Sequence, residues 1–164
     1  MDTSVPRLIL ILTVVSVLVS IIVLIWKHEA ASKAHNENEL RDTLRWMSDS
    51  IVSNSPYDSM HGMAKVVAMS SQGCSVEIKT VPVKEKEGTV LQFVFDLRDI
   101  DLRSIKFDDG LFIATSLSFR KGLNIRNIMV NGGRGHSMFF DLNKEYGPTF
   151  VKAFKRAVTL CGGE

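Results

Sequence analysis

The stretch that most restricts this chain is "LILILTVVSVLVSIIVLIW", Leu8 to Trp26, in which no residue is charged and only Thr13, Ser16 and Ser20 are polar. At about 1.5 Å of rise per helical residue it extends about 28 Å, close to the roughly 30 Å of a bilayer's hydrocarbon. Val and Ile favour strands in water, but a lone strand in lipid leaves its backbone N–H and C=O groups unpaired. A helix pairs them internally. Trp26 stands where an interfacial aromatic belongs, and Lys27 and His28 supply a polar stop. The expectation is a transmembrane helix over residues 8–26, and hence a single-pass, signal-anchored protein with the lipid bilayer as its first partner. A cleaved signal peptide is the rival, with Ser32 and Ala34 as small residues at a cleavage site. Signal peptides, however, have apolar cores of only about 7–15 residues.

Topology follows from the basic residues beside this run. Arg7 precedes it, while Lys27, Lys33, Arg41 and Arg45 follow. The positive-inside rule places the C-terminal domain in the cytoplasm, with a periplasmic or luminal position as the alternative. Ser16 and Ser20 form a small-xxx-small pair, a spacing that lets two helices approach and supports a weak homodimer. Ordinary scatter of small polar residues is the plainer account of that pair.

The chain has 164 residues, so what lies beyond the run is enough for one domain with its own core. The expected organisation is a tail over 1–7, the spanning helix, a tether with an amphipathic helix over 27–55, and a β-rich domain over 56–164. Lys and Arg number 20 against 18 Asp and Glu, well mixed along the chain. That balance lacks the concentrated basic face that nucleic-acid binding requires. The two cysteines, Cys74 and Cys161, lie far apart and outside any CxxC pair, which speaks against zinc or thioredoxin-type chemistry. They are expected as free, buried thiols; a disulfide would suit only an oxidising compartment. The terminal "CGGE" has glycines where a prenylation signal needs aliphatic residues.

Leu40, Leu44, Met47 and Ile51 recur at i, i+4, i+7 and i+11, predicting an amphipathic helix over roughly 38–53. Its polar face, with Arg41, Asp42, Arg45 and Asp49, mixes charges. A membrane-surface helix would carry a lysine-rich face, so packing on the domain is expected. After "SNSPYDSMHG", a loop by composition, the period changes from 3.6 to 2. "KVVAMSS", "CSVEIKTV", "TVLQFVFDL", "LFIATSLSF", "NIRNIMV" and "HSMFFDL" read as strands, and "RSIKFDD" as a short seventh. In "CSVEIK" the apolar face is Cys74, Val76 and Ile78; in "LFIATSLSF" it is Leu111, Ile113, Leu117 and Phe119. The joints are too short for parallel crossovers, so the strands are expected antiparallel. In "YGPTFVKAFKRAVTLCGG", Phe150, Phe154, Val158 and Cys161 line one helical stripe, with Pro148 in the first turn and Gly162 at the stop.

Six or seven antiparallel strands followed by one amphipathic helix is an order that resembles a pleckstrin-homology-like β-roll over residues 63–161. The resemblance rests on element order, and implies an α+β roll with the helix closing its open end. A cone-shaped sheet with packed helices, resembling nuclear transport factor, is the alternative. The lipid-binding members of the pleckstrin-homology fold place Lys and Arg on the first two strands and their joint. Here that joint, Ser70 to Gly73, has no positive charge, so phosphoinositide recognition is not implied.

No stretch carries a complete catalytic pattern. "NGGRGHS", Asn131 to Ser137, matches neither a P-loop nor a dinucleotide loop, and reads as a hairpin joint with glycines at positive φ. The aspartates of "FDLRDIDLRSIKFDDG" lack the spacing of a calcium loop and alternate with Arg98, Arg103 and Lys106. His61 and His136 stand without a GxSxG or HExxH frame. The expected function is a non-catalytic protein-interaction or assembly domain, with no cofactor and no metal. Arg134, at the tip of the Gly-rich joint, is the leading candidate for a partner contact, with Arg120 and Lys121 beside it. A tethered enzyme with an unrecognised site and a small-ligand sensor are the alternatives.

Overall fold

A computed structural model describes residues 4–55, 64–82, 90–115, 128–131, 133–135 and 137–163; the side chains of 4–15, 129, 133 and 134 are outside that description. The chain divides into two compact units, residues 1–38 and 39–164. Helix α1, Ser4–Ile51, has 48 residues. No Gly or Pro interrupts the sequence from Arg7 to Ser55, and the helix gives way to turn at Val52.

In the first unit, the described apolar run of α1 lasts from Ser16 to Trp26, its large side chains exposed, before Lys27, His28 and Glu29 end it. Among the described residues no helix is long and apolar enough to cross a membrane. This corrects the expectation of a transmembrane helix over 8–26 and of single-pass membrane placement; residues 8–15 of that stretch lie outside the described side chains. Ser20 Oγ donates to the Ser16 carbonyl at 2.9 Å, so this hydroxyl of the small-residue pair is satisfied within its own helix.

The second unit is α+β. Strands β1 (Ala64–Gln72), β2 (Ser75–Pro82) and β3 (Leu91–Asp96) form an antiparallel meander, continued by β6 (Ile128–Val130) and β7 (Gly133–Gly135) into a sheet of order β1-β2-β3-β6-β7. A second sheet, of order β4-β5-β8, contains β4 (Lys106–Asp108), β5 (Leu111–Thr115) and β8 (Ser137–Asp141). Helix α2, Gly147–Leu160, closes the chain. All the ladders among the described residues are antiparallel, as expected. The strands belong to two sheets among the described residues, where a single six- or seven-stranded roll was expected. The sheets divide after β3, where two short 3-10 turns, Leu97–Asp99 and Leu102–Ser104, carry the chain from one to the other.

Most of the sequence pattern is realised as burial. Leu40, Leu44, Met47 and Ile51 of α1 are buried in the same core as Val76 and Ile78 of β2, Phe93 and Phe95 of β3, and Phe150, Phe154 and Val158 of α2. In β5 the face is the reverse of that expected, since Phe112 and Ala114 are fully buried while Leu111 and Ile113 are partly exposed. Phe112 supplies the reason. It stacks on Phe140 at 4.8 Å and meets Phe150 and Phe154 edge-on at 5.2 and 5.3 Å. Turning β5 over would exchange this aromatic centre for Leu111 and Ile113, and the larger ring wins the interior.

The Gly-rich joint also differs from expectation. Val130 pairs with Gly133, so only two residues turn the chain, and Gly133–Gly135 becomes strand β7. Asn131 takes φ +49° at that turn, the left-handed geometry that Asn tolerates better than other side-chain-bearing residues.

Cys74 and Cys161 form a disulfide with Cα atoms 5.9 Å apart, correcting the expectation of free thiols. Cys74 lies in the β1–β2 turn, and Cys161 caps the C-terminus of α2. The bond therefore fastens the last turn of the helix to the edge of the larger sheet. Such bonds persist in oxidising surroundings, which is at odds with the expected cytoplasmic placement of the domain. Closing a loop across a sequence separation of 87 removes much of the unfolded chain's freedom. By the chain-entropy model this is worth about 4–5 kcal/mol. The Cys74→Ser, Cys161→Ser double variant is expected to lose about that much in urea unfolding, and a dithiol reductant is expected to reproduce the loss in the unmodified chain only.

At the other end of α2, the Phe107 ring lies directly over Gly147, where a Cβ would occupy the same space. Gly147→Ala is expected to cost about 1–3 kcal/mol, the range for forcing an extra carbon into a packed site, readable in the same unfolding experiment.

Candidate functional site

The place where the end of α1 meets the entry to α2 has the most varied chemistry on the described surface of the second unit. As α1 unwinds after Ile51, Asn54 Nδ2 donates to the Ser50 carbonyl at 2.9 Å and holds the last turn closed. The Asn54 carbonyl then accepts from the Asn143 N–H at 2.7 Å. Asn143 in turn starts α2: its carbonyl accepts from the Tyr146 and Gly147 N–H groups at 3.1 and 2.8 Å. Backbone bonds thus fix two chain segments that are remote in sequence.

Side chains complete the junction. Ser50 Oγ donates to the Trp46 carbonyl at 2.6 Å and lies 2.8 Å from the Tyr146 hydroxyl. The Tyr146 ring packs between Trp46, 5.7 Å away, and Phe150, 5.8 Å away. Trp46 keeps 39% of its surface exposed, so the internal aromatic cluster continues outward to a ring that meets solvent. Directly below, Ser55 Oγ donates to the Asp141 carbonyl at 2.6 Å and accepts from the Val66 N–H at 2.8 Å, while Asp141 Oδ2 accepts from the Ala64 N–H at 3.1 Å. These buried bonds tie the end of α1 to the neighbouring ends of β1 and β8.

Beside this junction lies a cleft of about 560 Å³, open to solvent and lined by Asn54, Asn143, Lys144, Glu145, Tyr146 and Thr149. Lys144 forms an ion pair with Asp109. Among the lining residues there is no histidine, cysteine or serine that would serve as a base or nucleophile. Among the described residues no group of His, Cys, Asp and Glu is arranged to hold a metal ion.

The charged segment after β3 is occupied with local structure. Asp96 accepts from the Arg98 N–H and takes its guanidinium at 2.6 Å, which lowers the Asp96 pKa. Asp101 is buried and caps the second 3-10 turn through the Arg103 N–H. Burial raises the pKa of Asp99, with the Asp96 charge a secondary cause.

Of the residues singled out for a partner contact, Arg134 lies on β7 opposite Met129, and its side chain is outside the described residues. Arg120 and Lys121 lie wholly outside them, as do His61 and His136. Trp46, Tyr146, Asn54 and Asn143 were not singled out in the sequence. Trp46 offered one signal, a large aromatic placed off the Leu40–Leu44–Met47–Ile51 stripe.

No family model, curated protein or solved structure matches this chain.

Burial raises the Tyr146 pKa above its ordinary value, and the bond to Ser50 opposes the rise. The folded chain thus holds the phenolic proton more tightly than the unfolded chain does. The associated stability is fully present below the unfolded value of 10.0 and is lost as pH rises through the folded value. Urea midpoints taken between about pH 9 and 11 are expected to fall more steeply for the unmodified chain than for Tyr146→Phe, which cannot ionise.

Proposed function

We propose that residues 39–164 form a non-catalytic recognition domain, used for interaction or assembly, whose contact surface is the Trp46–Tyr146 junction and the cleft beside it. One observation carries the reading: a partly exposed aromatic pair adjoins a polar recess whose walls are fixed by backbone hydrogen bonds between α1 and the entry to α2. Recognition surfaces combine an aromatic anchor with a few placed polar groups, and pre-fixed walls reduce the ordering cost of binding. The filled aromatic core and the disulfide add support, because they hold the recess in one shape without providing a reactive centre.

On the fold, we read the two sheets as halves of one rolled surface closed by α2, a plan resembling the pleckstrin-homology-like roll. The bond from the Ala64 N–H to Asp141 supports the reading, since it joins the first strand of one sheet to the last strand of the other.

Photo-crosslinking tests the functional reading. A benzophenone side chain is placed at Asn143, beside the junction, or at Lys79, an exposed position on β2, in the full chain within its own cells. A discrete adduct is expected from position 143 and not from position 79. Equal labelling from both, or none from 143, would overturn the assignment of this face.

A further inference from the structure

We infer that the cleft between the end of α1 and the entry to α2 is a binding site for a neutral oligosaccharide. The inference rests on the recognition reading and names the ligand of the same surface.

Hydrogen-bond capacity is the first argument. A carboxamide offers two N–H donors and two acceptor sites, and a hydroxyl offers a donor and two acceptor sites. Asn54 uses one N–H on the Ser50 carbonyl, and its oxygen receives only a long 3.4 Å contact from Asn143 Nδ2. One N–H of each carboxamide and the Asn143 Oδ1 remain for a ligand, with the exposed Thr149 hydroxyl on the same wall. Closely spaced donors and acceptors of this kind match vicinal hydroxyls, each of which both donates and accepts.

Charge is the second. Lys144 pairs with Asp109 and Glu145 follows with the opposite sign, so the lining residues carry no net positive charge for a phosphate or carboxylate. A neutral ligand is favoured. Shape and surface are the third. Tyr146 adds an aromatic side chain to the otherwise polar lining, and Trp46 packs on Tyr146 beside the cleft. The volume of about 560 Å³ falls among small-ligand clefts, roughly 300–1,000 Å³, and the open rim leaves room for a chain to continue past it. An extended peptide is less well served. The cleft is lined by a helix end, a joint and a helix first turn, with no strand edge for main-chain pairing and no apolar pocket for an anchor.

The test uses the full chain with its disulfide intact and Trp26→Phe, so that Trp46 is the sole tryptophan. Short soluble oligomers of glucose and of N-acetylglucosamine are titrated by fluorescence and by calorimetry. Saturable binding that changes the Trp46 emission is expected. Asn143→Ala and Thr149→Val are each expected to weaken it by up to about tenfold, the size of one lost hydrogen bond, without moving the melting temperature. Lys79→Ala is expected to leave binding unchanged. No saturation up to about 10 mM, or binding indifferent to both cleft variants, overturns the sugar site. A discrete protein adduct from position 143 without sugar binding also overturns it, while sparing the recognition reading. Progressive shortening of the oligomers would do the reverse, keeping the sugar site and removing the non-catalytic reading.

Discussion

The second unit closes around Phe112. Its ring sits on β5 with Phe140 stacked against one face and Phe150 and Phe154 of α2 meeting it edge-on. Phe154 reaches on to Phe95 of the larger sheet at 6.2 Å. One aromatic cluster therefore joins both sheets and the helix. Rings of this size bury large apolar areas, and edge-on pairs add to that burial. Once Phe150 is seated, the chain just before it has little choice of position, and Tyr146 is brought against Trp46 on α1. The outward surface is a consequence of the inward one.

Helix α2 is then held at both ends by different means. At its start, Gly147 lies under the Phe107 ring and the Tyr146 hydroxyl is hydrogen-bonded to Ser50. At its finish, Cys161 is bonded to Cys74, and the chain beyond turns back, with the Gly163 N–H on the Val158 carbonyl at 2.9 Å. In between, Arg156 takes both carboxylate oxygens of Glu39 on α1, at 2.6 and 2.7 Å. That pair is solvent-exposed and adds modestly to stability, but its two-pronged geometry sets the rotation of one helix against the other. Local opening of α2 has to break covalent, aromatic and polar ties together.

Parts of this were legible in the sequence because they depend on period alone. The buried stripe Leu40–Leu44–Met47–Ile51, the alternation Val76–Ile78 and the Phe150–Phe154–Val158 face each repeat with the geometry of their element, and each is buried. What failed had a non-local cause. The inner face of β5 was decided by the partners of Phe112 on β8 and α2, which β5 itself does not encode. The separation into two sheets arises at the 3-10 turns, where Asp96 and Asp101 cap in place of continuing a strand. The disulfide joins residues 87 apart, and nothing around either cysteine marks the other. The run at 8–26 was read from hydropathy alone, and among the described residues no helix is long and apolar enough to cross a membrane.

The candidate site was the least legible part, for the same reason in sharper form. Asn54 and Asn143 are each an unremarkable residue of a loop after an apolar element, the kind that sequence reading assigns to turn formation. They do form turns: one closes α1 and the other starts α2. The recognition role proposed for them rests on the bond between the Asn54 carbonyl and the Asn143 N–H, which sets the two carboxamides side by side. Ser50 and Tyr146, 96 positions apart, repeat the pattern. A chain that bonds a helix end to a helix start places unused polar groups from both in one recess, and an aromatic ring left off the core stripe then has a polar neighbour. Recognition of this sort needs no motif, since what it requires is created where the two elements meet.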